Sequence, residues 1–168
     1  MTADISVLMS VYHKEKPDYV RQCFQSLLKQ TLQANEWVVV EDGELTEGLY
    51  AVIDEYEKKY PNLIKRVRIP KNVGVGLALR EGIPNCSNEI IARMDTDDIA
   101  RSDRFEKQFA EFLNDHELDI CGSNIQEFEG NITNIVSKRI VPLTDTEIKK
   151  YQKKRDSFNH MTVMYKKR

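Results

Sequence analysis

The sequence has no apolar run long enough to cross a bilayer. Its first apolar segment, Ile5–Val11, spans seven residues, against the roughly 20 that a spanning helix needs. That stretch does not read as a secretory leader either. Cysteine is scarce: Cys23, Cys86 and Cys121 are odd in number and widely spaced, and no Cys-x-x-Cys pair occurs. Together with His13, His116 and His160 they do not complete a zinc pattern. Free thiols in a reducing compartment fit this usage, so the expected location is the cytoplasm. Positive charge is not in excess, since 25 Lys and Arg face 27 Asp and Glu for a net charge of −2. No basic field is therefore available to attract nucleic acid. The basic stretches 149–155 and 166–168 read as solvated. Repeats, linkers and low-complexity segments are absent. The 168 residues are thus expected to form a single domain, 1–168, large enough to bury a real core.

What the chain does have is alternation. Ile5–Val11 is a compact apolar strand, and Pro17 suits the first turn of the helix that follows. From Tyr19 to Leu32, Val20, Phe24, Leu27 and Leu28 fall at helical spacing. Trp37–Val40 is a β-branched strand ending in Glu41-Asp42-Gly43. Leu49, Val52, Ile53 and Tyr56 mark a second helix, and Leu63–Ile69 a third strand. A glycine-containing loop at 70–76 leads into a short helix, Leu77–Ile83, and then the strand within Glu89–Ile99. A helix from Asp103 to about His116 follows, with Ser102 as its expected N-cap. Strand and helix taking turns predict a mostly parallel sheet with helices on both faces. Beyond residue 118 the grammar changes: Asp119–Phe128 and Ile132–Val141 flank Glu129-Gly130-Asn131 and read as a β-hairpin. A polar helix at 145–154 and a terminal strand pattern at 161–168 complete the chain. Few domains end on an apolar strand, so a truncation at the C-terminus is expected, one that would leave Val163 and its neighbours under-covered.

The stretch around which the chain is organised is Glu-Ile-Ile-Ala-Arg-Met-Asp-Thr-Asp-Asp-Ile, residues 89–99. An apolar strand stops there in three carboxylates within four positions, Asp95, Asp97 and Asp98. Carboxylates so close together repel one another unless a cation neutralises them. A hard divalent cation, Mg²⁺ or Mn²⁺, sharing oxygen ligands with phosphates, is the simplest account. Acidic groups also follow the second strand, Glu41-Asp42, and Ser10-Val-Tyr12 closes the first. In a parallel sheet these three strand ends share one edge and converge on one crevice. A carboxylate there can accept a hydrogen bond from a base or ribose, and a tyrosine ring can stack on a base.

Five segments in order and spacing resemble family 2 glycosyltransferases. They are Ile5–Tyr12; Ser26–Thr31; Val38–Gly43; Asn72-Val-Gly74 with Gly82-Ile83; and Ala92–Ile99 with Arg104–Gln108. Asn159-His160-x-Thr-Val-Met164 is also similar to a family segment, and the Asp42–Thr46 and Leu49–Ile53 stretches are most similar to bacterial capsule and exopolysaccharide enzymes. The resemblance implies the glycosyltransferase-A (Rossmann-like α/β) fold and sugar transfer from a nucleotide-diphospho-sugar, UDP-linked in the first instance. The acceptor would be a saccharide or lipid-linked saccharide in cell-surface polysaccharide synthesis. Ser10 and Tyr12 would border the base and Asp42 would bind it. Asp95 would approach the ribose and the metal. Asp97 is the first choice as ligand to Mn²⁺ or Mg²⁺, with Asp98 the alternative. Arg80 and His160 are candidates on the diphosphate side. The family's general base lies in a later acidic motif and is expected beyond Arg168; the full-length protein would associate peripherally with the inner face of the membrane. Two departures stand out. Ala78-Leu-Arg80 replaces the family's Ala-Arg-Asn, and the later acidic motif is not among these residues.

Rival readings are a nucleotide-binding module without transfer activity and a metal-dependent phosphohydrolase with Asp95-Thr-Asp97 at its centre. A dinucleotide-dependent oxidoreductase requires Gly-x-Gly-x-x-Gly after the first strand, where this chain has Ser10-Val-Tyr-His-Lys-Glu15.

Overall fold

Strand and helix alternate as expected in the computed structural model, which describes residues 1–167. In chain order the elements are β1 (Thr2–Val11), α1 (Pro17–Leu28), β2 (Gln33–Asp42), α2 (Glu47–Lys59), β3 (Ile64–Ile69) and α3 (Val75–Gly82). There follow β4 (Ile90–Arg93), α4 (Arg104–Asn114), β5 (Ile120–Cys121), β6 (Ile125–Phe128), β7 (Ile135–Arg139), α5 (Asp145–Tyr151) and β8 (Met164–Lys166). Single 3-10 turns precede β4 and β8.

Six strands form the main sheet in the order β3-β2-β1-β4-β8-β5. The first four run parallel, and β8 lies antiparallel between β4 and β5. Side chains alternate across the central strands, because successive Cβ atoms point to opposite faces. Val7 and Met9 of β1 and Trp37 and Val39 of β2 pack under α1, α2 and α4. On the opposite face Leu8, Val38 and Val40 pack with Ala78 of α3. Phe24 meets Trp37 at 5.3 Å and Tyr56 edge-on at 5.1 Å. Each aromatic or aliphatic side chain so buried contributes about 1.5–3 kcal/mol. α3 lies hard against the sheet at Gly82, where a Cβ would come within 2.5 Å of Leu8 Cδ1. Only glycine allows that approach.

Three expectations need correction. The terminal strand is not a bare edge. Val163 and Met164 are buried, since β8 is paired on both sides and α4 reaches across to it through Gln108, whose Nε2 donates to the Thr162 carbonyl at 2.8 Å. The hairpin is shorter than Asp119–Val141: Ile120 and Cys121 join the main sheet against β8, and only β6 and β7 pair as the hairpin. Ser102 does not cap α4. Asp103 takes the cap position without a side-chain cap bond, its carboxylate engaged instead by Arg101 and Lys107, both at 2.8 Å. Cys23 and Cys86 are buried free thiols as expected, and Cys121 is half-buried. No helix among the described residues is long and apolar enough to cross a membrane.

Candidate functional site

The strand order reverses at β1: β2 and β3 build outward on one side and β4 on the other. In open α/β sheets the carboxyl ends of the strands at such a point flank the ligand crevice. Here those ends carry Ser10 to Tyr12 and Asp95 to Asp98, with Asp42 at the end of the neighbouring β2. Parallel register sets the end of β1 beside that of β2, and the loop after β4 is hydrogen-bonded back to β1.

The acidic loop is tied to β1. Met94 N donates to the Leu8 carbonyl at 3.0 Å, and Thr96, buried, donates its hydroxyl to the Ser10 carbonyl at 3.3 Å. Asp95 is half-buried and paired with the Arg93 guanidinium at 3.0 Å. Asp97 is exposed. Asp98 is half-buried, and its Oδ2 is shielded from water without a hydrogen-bond partner. Burial, reinforced by the neighbouring Asp97 and Asp95 charges, pushes the Asp98 carboxyl up to about 6. Asp95 is raised for the same first reason, partly opposed by Arg93.

A fourth carboxylate, missed in the sequence, joins this group. Glu15 sits in the β1–α1 turn, where its N–H donates to the Tyr12 carbonyl at 3.0 Å. Its side chain is pushed up to about 7, first by burial and then by the charges of Asp97 and Asp95. In the sequence Lys14-Glu15-Lys16 looks like ordinary loop charge, and only the fold turns Glu15 toward the acidic loop. Among the described residues no group of three or more His, Cys, Asp or Glu is arranged as a ready-made metal cage. The donor set nevertheless suits a hard divalent ion. It is all oxygen, it carries a buried carboxylate oxygen without a partner, and its charges oppose one another. Mg²⁺ commonly takes one or two protein carboxylates and completes its shell with phosphates and water.

At the end of β2 the two acids have separate tasks. Glu41, buried, is gripped by Arg66 and by Arg68 at 3.1 Å. Asp42 is 2 % exposed and clamps the following loop. It accepts from Val73 N at 2.7 Å, Gly74 N at 3.0 Å and Asn72 Nδ2 at 3.1 Å. Asp42 is not the cap of α2; Thr46 fills that position, accepting from Leu49 N. Gly43 makes the clamp possible: its φ is +86°, and a Cβ there would lie 2.7 Å from Asn72 N. Tyr12, just past the end of β1, is exposed and meets His13 edge-on at 5.8 Å. Arg80 lies on the exposed side of α3, paired with Glu81 at 3.1 Å. No hydrogen bond or ion pair joins it to the acidic loop.

Because β8 runs antiparallel to β4, the residues leading into it return beside the end of β4. Asp95 there borders a pocket of about 240 Å³, together with Arg139, Asp156, Asn159, His160 and Met161. His160 is thus brought to the acidic loop, with Asp156 3.6 Å away. Arg104, a second residue the sequence did not single out, underlies the junction. Its buried guanidinium donates to the Arg93 carbonyl at 2.8 Å, the Val163 carbonyl at 3.4 Å and Gln108 at 2.9 Å.

Comparison with known proteins bears on the family and the fold. The chain is 50% identical over 163 residues to an uncharacterized glycosyltransferase of Haemophilus influenzae, covering 96% of this chain and 60% of that protein. It is 39% identical to the amylovoran biosynthesis glycosyltransferase AmsE of Erwinia amylovora, covering 96% of this chain and 59% of the relative. It is also 36% identical to an Escherichia coli UDP-Gal:alpha-D-GlcNAc-diphosphoundecaprenol beta-1,3-galactosyltransferase, covering 99% and 59%. Among solved structures, residues 1–349 of S. aureus TarS in complex with UDP superpose with a TM-score of 0.68 at 19% identity, over 98% of this chain and 47% of that one. The mannosyltransferase PcManGT of Pyrobaculum calidifontis, in complex with GDP-Man and Mn²⁺, gives 0.67 at 15% identity, over 97% and 44%. These likenesses show the glycosyltransferase-A fold. The chain spans about 60% of the length of the curated relatives it matches. With the model of Glycosyl transferase family 2 matching residues 6–167, the chain belongs to that family.

Proposed function

We propose that this chain binds the donor of a glycosyltransferase that moves a sugar from a UDP-linked donor to a saccharide or lipid-linked saccharide acceptor in bacterial cell-surface polysaccharide synthesis. What supports this reading is that Ser10, Tyr12, Asp42 and the Asp95–Asp98 loop all lie at the carboxyl ends of adjacent parallel strands where the strand order reverses. The exposed Tyr12 ring stacks on the base, and Ser10 lies beside it. Asp42 shapes the base wall by holding the 72–74 loop. Asp95 faces the ribose, and Asp97 and Asp98 are the residues that would hold Mg²⁺ or Mn²⁺. A bound cation supplies neutralisation for the charge that develops on the departing diphosphate. The protein's own part is to bind and orient the donor. Preorganised groups aimed at the leaving side lower the barrier without reorganising during reaction. Arg80 would have to leave Glu81 to reach a phosphate. His160, already beside Asp95, is the better placed of the two. The displacement is inverting, and its general base, which takes the proton of the attacking hydroxyl, is assigned to the part of such enzymes outside the matched residues.

Titration calorimetry with UDP, with and without Mn²⁺, tests the donor reading. UDP should bind more tightly with the metal, and Asp97→Ala should abolish that gain. Affinity indifferent to both would overturn the metal assignment. Absence of UDP binding under any condition would overturn the donor reading itself.

A further inference from the structure

A site built on crowded carboxylates needs positive charge to face an anionic ligand, and most arginines near the acidic loop are already engaged. Arg93 holds Asp95 at 3.0 Å, and Arg101 holds Asp103 at 2.8 Å. Arg104 is buried against the Arg93 and Val163 carbonyls. Arg80 is paired with Glu81 on the exposed side of α3. Arg139, the last residue of β7, differs from all of these. Its Nη2 donates to the Asp156 carbonyl at 3.3 Å, while the Asp156 carboxylate turns to His160 at 3.6 Å. Among the described residues Arg139 forms no ion pair, so most of its donor fork is left open.

An exposed arginine is ordinarily just solvated, and two observations set this one apart. It lines the pocket of about 240 Å³ that also takes in Asp95, the first carboxylate of the acidic loop. The same lining contains Asn159, which is 1 % exposed. Asn159 Nδ2 donates to the Ser123 carbonyl at 2.8 Å, which fixes the amide and leaves Oδ1 shielded without a partner. Buried acceptors without a partner are uncommon and call for an explanation. A ligand seated in this pocket supplies one.

The chemistry of the lining says which part of a ligand Arg139 meets. A planar guanidinium binds phosphate oxygens in pairs. The pocket adjoins the loop whose Asp97 and Asp98 would hold a cation, and a phosphate on that cation presents its remaining oxygens to the other wall. We propose that Arg139 binds the β-phosphate of the donor's diphosphate from the hairpin side of the crevice. This rests on the donor reading above and adds to it a residue from outside the parallel sheet. In transfer, the acceptor oxygen bonds to the sugar and gives its proton to the base. The bond to the β-phosphate oxygen breaks, and its electron pair stays on that oxygen. A guanidinium there opposes the charge as it develops.

The test is titration calorimetry with UDP and with UMP, both in the presence of Mn²⁺. The parent protein should bind UDP more tightly than UMP. Arg139→Ala should weaken UDP binding about tenfold, the scale of a lost hydrogen bond to a charged group, and leave UMP binding unchanged. Strand alternation puts Lys138 on the opposite face of β7, so Lys138→Ala removes the same charge and should change neither affinity. Both side chains are exposed, and the Tm of each variant should match the parent, which separates a lost contact from a lost fold. Equal affinity of the parent for UDP and UMP would overturn the proposal and leave the donor reading standing. So would an unchanged ratio of the two affinities in Arg139→Ala, or an equal loss in Lys138→Ala. A parent protein that binds neither nucleotide would overturn the donor reading and this proposal with it.

Discussion

Asp42→Asn is the substitution on which the reading of the base wall depends most directly. In the native protein one carboxylate oxygen accepts from Val73 N and the other from Gly74 N and Asn72 Nδ2. Asparagine keeps the shape and replaces one oxygen with an NH₂ group. If that group faces Asn72, the Asn72 amide can turn over to accept from it, but the Gly74 N–H is left opposite a donor. In the other orientation the Val73 N–H is. One buried amide loses its partner in either case, and the charge that strengthens the remaining bonds is gone. Hydrogen bonds to charged groups are worth about 1.5–3 kcal/mol, and an orphaned buried donor costs about 1–3 kcal/mol. A loss of about 2–4 kcal/mol follows, or on the order of 10 °C in Tm for a domain of this size. UDP affinity should fall with it, because the 72–74 loop is the proposed wall. Gly43→Ala supplies the comparator: it keeps the carboxylate and displaces the loop, since its Cβ would sit 2.7 Å from Asn72 N. It should lower both Tm and affinity. Calorimetry and UDP titration on the same preparations decide. An Asp42→Asn protein with unchanged Tm would refute the clamp, and one with unchanged Tm but lost affinity would show direct contact with the base.

Other expectations follow from the same geometry. Arg104→Met should cost about 3 kcal/mol, read by chemical denaturation, because it removes a buried donor from the carbonyls of Arg93 and Val163. Tyr12→Ala should weaken UDP binding by about 1–3 kcal/mol, the value of base stacking on an aromatic ring, and leave Tm nearly unchanged because the ring is exposed. Without metal, stability should fall as pH rises from about 4 to about 7. Glu15, raised from 4.5 to about 7, and Asp98, raised from 3.8 to about 6, both hold protons in the folded protein that the unfolded chain has released. Denaturation followed across that range should flatten in Asp98→Asn, and a slope unchanged by that substitution would refute the raised Asp98 carboxyl and its assigned cause, burial reinforced by the neighbouring charges.

The legible and illegible parts of this molecule divide along a physical line. Elements whose signal is local were readable: the β-branched runs of β1 and β2, the helical stripe of Val20, Phe24 and Leu27, and Pro17 at a helix start. The acidic strand end was readable too, because it breaks an apolar run within a few residues. Pairing partners were not. Nothing in Met164–Lys166 says that this strand enters the middle of the sheet, nor that Ile120 and Cys121 leave the hairpin to flank it. The roles of Asp42 and Glu15 were hidden for a related reason. Asp42 ends a strand and Glu15 sits in a turn, and their partners lie about 30 residues away for Asp42 and about 80 for Glu15. Sequence spacing could suggest that the strand ends meet, but not which of the meeting carboxylates holds backbone and which stays available to a ligand.

Insertion of β8 ties the C-terminal residues to the chemistry of the acidic loop. Arg93 is the shared residue: its N–H donates to the Val163 carbonyl at 2.9 Å, while its guanidinium holds Asp95 at 3.0 Å. Arg104 ties the same two segments together from below through the Arg93 and Val163 carbonyls. The orientation of Asp95 therefore depends on residues almost 70 positions further along the chain. β1 to β4 alone would keep the order of strands that makes the crevice, yet would lose what holds Asp95 in place and the pocket that His160 shares with it. A carboxylate so anchored has little freedom to reorganise. That division suits a site in which Asp95 is held by arginine while Asp97, exposed, and Asp98, with an unpartnered oxygen, are left for a cation.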